Sequence, residues 1–239
     1  MGASLSIDLA SRRYSHFGII FLPEGSRTPR VLMPKELGLT DPPEAASLAV
    51  AIESLARTAN VDVVLLDGPQ AWRYPQSPIK HMRLCERVLN TPGKTGIPGQ
   101  AKPSTYLTYI QFSIDVFHYL RAAYGWSLLS SDWPQHSGRR WVVEVFPSAA
   151  WALLGLDRLP GKSRGAGLEP WRRELAQVTG YSLPSNLNHD QLQAAVVLPL
   201  GPALIEGAAD QVILAGLDPF IEGDSVYEGL IANPRLPPN

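Results

Sequence analysis

One run constrains this chain more than any other: Val61-Asp-Val-Val-Leu-Leu-Asp67, followed at once by Gly68-Pro69. Five of its seven residues are Val or Leu. A short segment that is apolar on both faces reads as a central strand covered on both sides, as in an α/β sheet. The segment before it, from Pro42-Pro43 through Arg57, carries Ala45, Leu48, Ile52 and Leu55 at helical spacing. A strand entered from a helix pairs parallel with an earlier strand. The earlier candidate is Ala3 to Leu9, where Leu5, Ile7 and Leu9 alternate with Ser4, Ser6 and Asp8.

The rest of the pattern supports an α/β chain. Tyr14 to Leu22 and Arg30 to Met33 are predicted to complete an antiparallel meander with the first strand. Trp141 to Phe146 is a further strand, and Pro147 opens a helix through Leu154. Helices are predicted near Trp171 to Thr179 and over His189 to Leu198, then a short strand over Gln211 to Leu214 and a frayed tail, Asn233 to Asn239. Between residues 70 and 135, helical stretches at Ile79 to Leu89 and Tyr106 to Tyr124 bracket a Gly/Pro loop, Thr91 to Pro103. This region reads as a helical insertion with a mobile loop, since long structureless loops in compact domains are usually functional or disordered, within one domain spanning residues 1–239.

Charge limits the partners. Lys and Arg total 21 against 22 Asp and Glu, a formal net charge of -1. Tracking a phosphate backbone calls for basic surface, so a nucleic-acid role must rest on local patches. The lone Cys85 excludes an internal disulfide framework and a Cys-rich zinc site, and is expected in the core. No apolar run reaches transmembrane length and no secretory signal is evident, so a soluble cytoplasmic protein is expected. Met-Gly-Ala-Ser-Leu-Ser loosely fits a myristoylation pattern, but Leu5 and Ile7 already belong to a strand.

Three carboxylates stand where burial is costly. Asp8 lies within the first strand, Asp67 ends the most apolar one, and Glu144 sits between Val143 and Val145. An ionised group at such a place needs a counter-charge or a cation. Singly, each fits a salt bridge or a strand end reaching solvent. Together, on neighbouring strands, they predict one acidic site within a single metal's reach. Hard oxygen donors suit Mg²⁺ or Mn²⁺, the ions of two-metal phosphodiester hydrolysis.

Five motifs, taken in order, resemble a known family. They are Ser-Ile-Asp8-Leu-Ala, Leu-Leu-Asp67-Gly-Pro, Arg83-Leu-Cys-Glu86-Arg87, Val-Val-Glu144-Val-Phe-Pro147, and His189-Asp190-Gln-Leu-Gln193-Ala-Ala. The chain resembles the predicted RNase H-like nucleases catalogued as domain of unknown function 429, over almost its whole length. That resemblance implies an RNase H-like mixed sheet flanked by helices, and a catalytic acidic cluster. Many relatives carry a second acidic residue on the last helix where this chain has Gln193. A Gln carbonyl supplies a ligand atom without charge. Either Asp190, three positions earlier on the same helix face, joins the ligands, or a second metal binds weakly.

Further residues are candidates for contacting substrate. His189 is a possible proton shuttle, against the alternative of a surface histidine near a cap. Arg83, Arg87, Lys94 and Lys102 flank the Gly/Pro loop and are candidates to face phosphates, or simply form a solvated surface. Gly93-Lys94-Thr95 and Gly161-Lys162-Ser163 echo a P-loop, but the required earlier glycine is Val88 in one and Leu156 in the other. The expected function is a metal-dependent nuclease or other phosphoester hydrolase. The alternatives are a non-catalytic nucleic-acid or protein-binding module with a degenerate site, and an actin-like or sugar-kinase-like ATPase. The ATPase is disfavoured because no glycine-rich loop follows Asp8.

Overall fold

The computed structural model describes residues 2–136, 138–162 and 167–236. Ser163 of the second P-loop echo and the last three residues of the tail lie outside the described residues. The elements run β1 (Ala3–Asp8), β2 (Gly18–Leu22), β3 (Arg30–Val31), α1 (Ala45–Ala59), β4 (Val61–Asp67), α2 (Leu84–Leu89), β5 (Lys94–Thr95), β6 (Ala101–Lys102), α3 (Leu107–Tyr124) and β7 (Ser127–Leu128). They continue with β8 (Trp141–Val145), α4 (Pro147–Leu153), α5 (Glu169–Thr179), α6 (His189–Val196), α7 (Leu200–Glu206), β9 (Val212–Glu222) and β10 (Ser225–Pro234).

The chain is an α/β protein built on an eight-stranded mixed sheet flanked by helices, the architecture the sequence predicts. The strand order is β3-β2-β1-β4-β8-β10-β9, with β7 beside β8. β1, β2 and β3 form the antiparallel meander; β4 runs parallel to β1, and β8 parallel to β4. Val63, Val64, Leu65 and Leu66 are all fully buried, as a strand covered on both faces requires.

Alternation divides the core in two. On one face Ile20, Leu22, Val63, Leu65, Val143 and Val145 pack with Trp151 of α4, Leu192 of α6 and Leu204 of α7. On the other, Leu5, Ile7, Ile19, Val64, Leu66 and Val142 pack with Leu48 and Ile52 of α1 and with Val116 and Phe117 of α3. The 70–135 stretch thus contributes α3 to a layer covering the sheet. Its Gly/Pro loop forms the small β5–β6 ribbon.

Several bounds differ from those expected. α2 begins at Leu84 because His81 has a left-handed backbone, φ 68°, which breaks any helix running from Ile79. The expected 189–198 helix ends at Val196, and α7 follows. The short strand expected at 211–214 is the start of a long β9–β10 hairpin, whose second strand pairs parallel with β8. No described helix is long and apolar enough to cross a membrane.

Candidate active site

The carboxyl ends of parallel strands form the usual crevice for ligands in an open α/β sheet. Here β1 ends on Asp8 and β4 on Asp67, and the two are direct partners in the ladder. Ser4 and Ser6 precede Asp8 on the α6 face, as Val63 and Leu65 precede Asp67. Both carboxylates therefore leave the sheet on the same side, from strands about 4.8 Å apart.

The third member comes from α6. Asn188 caps this helix: its side chain accepts from the Gln191 amide at 2.9 Å, and the Gln191 side chain accepts from the Asn188 amide at 2.9 Å. The cap fixes Asp190 in the first turn, where the helix dipole favours a negative charge. Gly18, the β2 partner of Asp8, lets the helix approach. A Cβ there would lie 2.0 Å from the Asp190 carbonyl oxygen.

The Asp8 and Asp67 side chains lie within hydrogen-bond reach of each other, a contact that two carboxylates can make only with a proton between them. Burial, then the charges of Asp67 and Asp190, hold Asp8 well above the usual carboxylate range, with Lys162 opposing. Burial also pushes Asp67 up to about 7, with the Asp8 hydrogen bond opposing and the Glu144 charge adding to it. Lys162 forms an ion pair with Asp190 Oδ1. His189 stands beside the group, its Nδ1 3.7 Å from Asp190 Oδ1 and without a hydrogen-bond partner.

Glu144 does not join them. It is the ladder partner of Leu66, one step from Asp67, so its side chain leaves on the α3 face. There its two oxygens accept from Arg83 at 2.6 and 2.8 Å, and Oε2 also accepts from the Gln70 amide at 2.9 Å. The expectation of three strand carboxylates on one side is corrected accordingly. The structure gathers Asp8, Asp67 and Asp190, while Glu144 stays within electrostatic range of Asp67 behind the sheet.

Arg83 is corrected as well. It is 1 % exposed, and all five guanidinium N–H bonds are committed: three to Glu86 and Glu144 through Nε and Nη2, and two from Nη1 to Glu144 and the Glu228 carbonyl. None remains for a phosphate. Lys94 donates to the Glu86 carbonyl at 3.1 Å, tying the ribbon to α2, whereas Arg87 and Lys102 are exposed. The Gln193 carbonyl accepts from the buried Trp151 indole at 2.9 Å, so its present role is to satisfy that N–H. Cys85 is buried, and its thiol is pushed up by burial, against Arg83 and together with Glu144, Glu86 and Glu228. That environment suits a core residue, not a nucleophile.

Sequence reading missed four contributors. Glu228 has φ 60° at a bulge in β10, which aims its carboxylate at the Tyr74 and Leu84 amides. Tyr109 donates its hydroxyl to the Asp67 carbonyl and closes the far side of the crevice. Lys162 and Gly18 complete the set.

The side chains here offer carboxylate oxygens, the donor type that a hard divalent cation takes. Asp8 and Asp67, with Asp190 near enough to raise Asp8, are the residues that would hold such a cation. Among the described residues, no three His, Cys, Asp or Glu side chains are already disposed as a cage, and Lys162 holds Asp190. Loading would therefore displace the shared proton and the Lys162 ammonium. No family model, curated protein or solved structure matches this chain.

Proposed function

We propose that this protein is a metal-dependent phosphoester hydrolase, a nuclease of the RNase H-like kind its motifs resemble, in which Asp8, Asp67 and Asp190 hold Mg²⁺ or Mn²⁺. One observation carries the reading: Asp8 and Asp67 are ladder partners at the carboxyl ends of adjacent parallel strands, beside the helix that carries Asp190. A cation held there would supply Lewis acidity and a water of lowered pKa. The protein's part is positioning. The paired strands fix two carboxylates, the capped helix delivers the third, and Tyr109 anchors the Asp67 backbone. His189 is placed to accept or return a proton at Nδ1 next to Asp190. Glu144 stays outside the ligand set and raises Asp67 from behind the sheet. We place this activity in the cytoplasm, on nucleic acid.

A second reading has one observation in its favour. Lys162 already neutralises Asp190, as it would in a binding module that no longer needs a metal. Thermal melts with and without millimolar Mn²⁺ separate the two, together with cleavage assays on single-stranded, duplex, hybrid and branched substrates. The hydrolase reading expects Mn²⁺ to raise the wild-type Tm by mass action, no rise in Asp8→Asn, and cleavage that Asp67→Asn abolishes. An equal Tm response in wild type and Asp8→Asn, with no substrate cut, favours the binding module.

A further inference from the structure

A cavity of about 430 Å³ opens beside Asp67, within the size range of small-ligand sites. Three of its features go unused by the acidic cluster. Thr95 lines it and is 1 % exposed, yet its Oγ1 has no hydrogen-bond partner. The Thr95 amide is held by Glu86 Oε2 at 2.8 Å, so the hydroxyl is fixed in place and unsatisfied. A buried hydroxyl without a partner is costly unless a ligand supplies one.

The second feature is aromatic. Tyr106 and Phe146 line the cavity half-buried. A Cβ on Gly93 would come within 2.7 Å of the Tyr106 ring, so that ring rests directly on the Gly93 backbone. The third is charge at the rim. Arg12 and His16, on the loop after β1, are exposed, line the same cavity and form no ion pair among the described residues.

Half-buried aromatic rings, a buried hydroxyl without a partner and the exposed Arg12 guanidinium at the rim match one chemical unit, a nucleobase with its sugar and phosphate. Paired bases in a duplex cannot reach such a wall without being extruded. The net charge of -1 gives little purchase on a long phosphate backbone. We infer that this cavity is a subsite for the base and sugar of one unpaired nucleotide, whose phosphate faces Asp67. The position of the phosphate rests on the hydrolase reading; the base subsite does not.

Calorimetric titration in EDTA tests the subsite without any metal. The probes are adenosine 5′-monophosphate, ribose 5-phosphate, a blunt duplex and the same duplex with one unpaired 3′ nucleotide. Adenosine 5′-monophosphate is expected to bind about tenfold more tightly than ribose 5-phosphate, from base stacking. Tyr106→Leu should remove that advantage, and Thr95→Val, which keeps the shape, should reduce it. Melting curves of both variants confirm folding. Tighter binding of the overhang than of the mononucleotide identifies a strand end as the source; equal binding identifies the free nucleotide; both support the subsite. It is overturned if the mononucleotide fails to bind at millimolar concentration, if ribose 5-phosphate binds as well, or if neither variant changes the affinity. Binding of adenosine 5′-monophosphate in EDTA, with no substrate cut by wild type in Mn²⁺, would overturn the hydrolase reading and leave the subsite standing.

Discussion

Removing Arg83 leaves Glu86 and Glu144 buried without the guanidinium that holds both. Arg83→Met is therefore expected to lower the unfolding free energy by about 3–5 kcal/mol. Arg83→Lys should recover little, because an ammonium cannot reproduce the planar fork. Urea denaturation checks both. Asp67 carries the opposite problem, a carboxyl crowded by its own kind. It titrates near 7 in the folded protein, against 3.8 for an ordinary Asp. Between those values the folded state keeps a proton that the unfolded chain releases. The stabilisation is complete below about pH 3.8 and is lost as pH rises through about 7. In EDTA the wild-type Tm should fall from pH 5 to 8, and that of Asp67→Asn should fall less. Above about pH 7 the variant should be the more stable by a few degrees, at about 2–4 °C per kcal/mol. A variant less stable than wild type at pH 8 would contradict the shared-proton description. Asp67 and Asp190 were legible in the sequence because each occupies a marked place, the end of an apolar strand and the start of a capped helix. The Arg83–Glu144 pair was not, since its members lie 61 residues apart and nothing local joins them.

At the scale of elements, the approach of α6 to β2 decides whether Asp190 reaches the strand carboxylates. Gly18→Ala would set a methyl group 2.0 Å from the Asp190 carbonyl oxygen, and the backbone must move. The expected cost is about 1–3 kcal/mol, with a weaker Mn²⁺-induced rise in Tm. Leu65→Ala, fully buried in β4, should cost about 2–5 kcal/mol and leave the Mn²⁺ response intact in the protein that remains folded. Paired thermal melts distinguish lost positioning from lost packing. The face of Glu144 shows what strand patterns omit. Alternation puts Glu144 with Val142 and Asp67 with Leu65, but which of these faces coincide depends on register, and a one-residue offset moves a side chain across the sheet. That register, Leu66 opposite Glu144, arises only when the strands pair. The β9–β10 hairpin was hidden differently: Gly216, Pro219 and Gly229 interrupt its apolar runs and read as loop punctuation.

For the molecule as a whole, order along the chain was the most readable property. A strand meander, a helix and an apolar strand place Asp8 beside Asp67, and the later helix brings Asp190 over them. Two polar systems with different tasks leave opposite faces of the sheet and meet at one cavity, lined by Asp67 from one and by Arg83, Glu86 and Glu144 from the other. Behind the sheet, Arg83, Glu86, Glu144 and Glu228 are mutually satisfied and hold the 70–95 segment to β8 and β10. In front, Asp8, Asp67 and Asp190 have a proton and one lysine among them. The proposed function calls for a cation in front and not behind, and that difference can be observed directly. Crystals grown in Mn²⁺ and measured for anomalous scattering should show a peak bridging the Asp8 and Asp67 carboxylates within coordination distance of Asp190, with Lys162 displaced. A peak on Glu144 instead, or none at the Asp8–Asp67 pair at saturating Mn²⁺, would contradict the account.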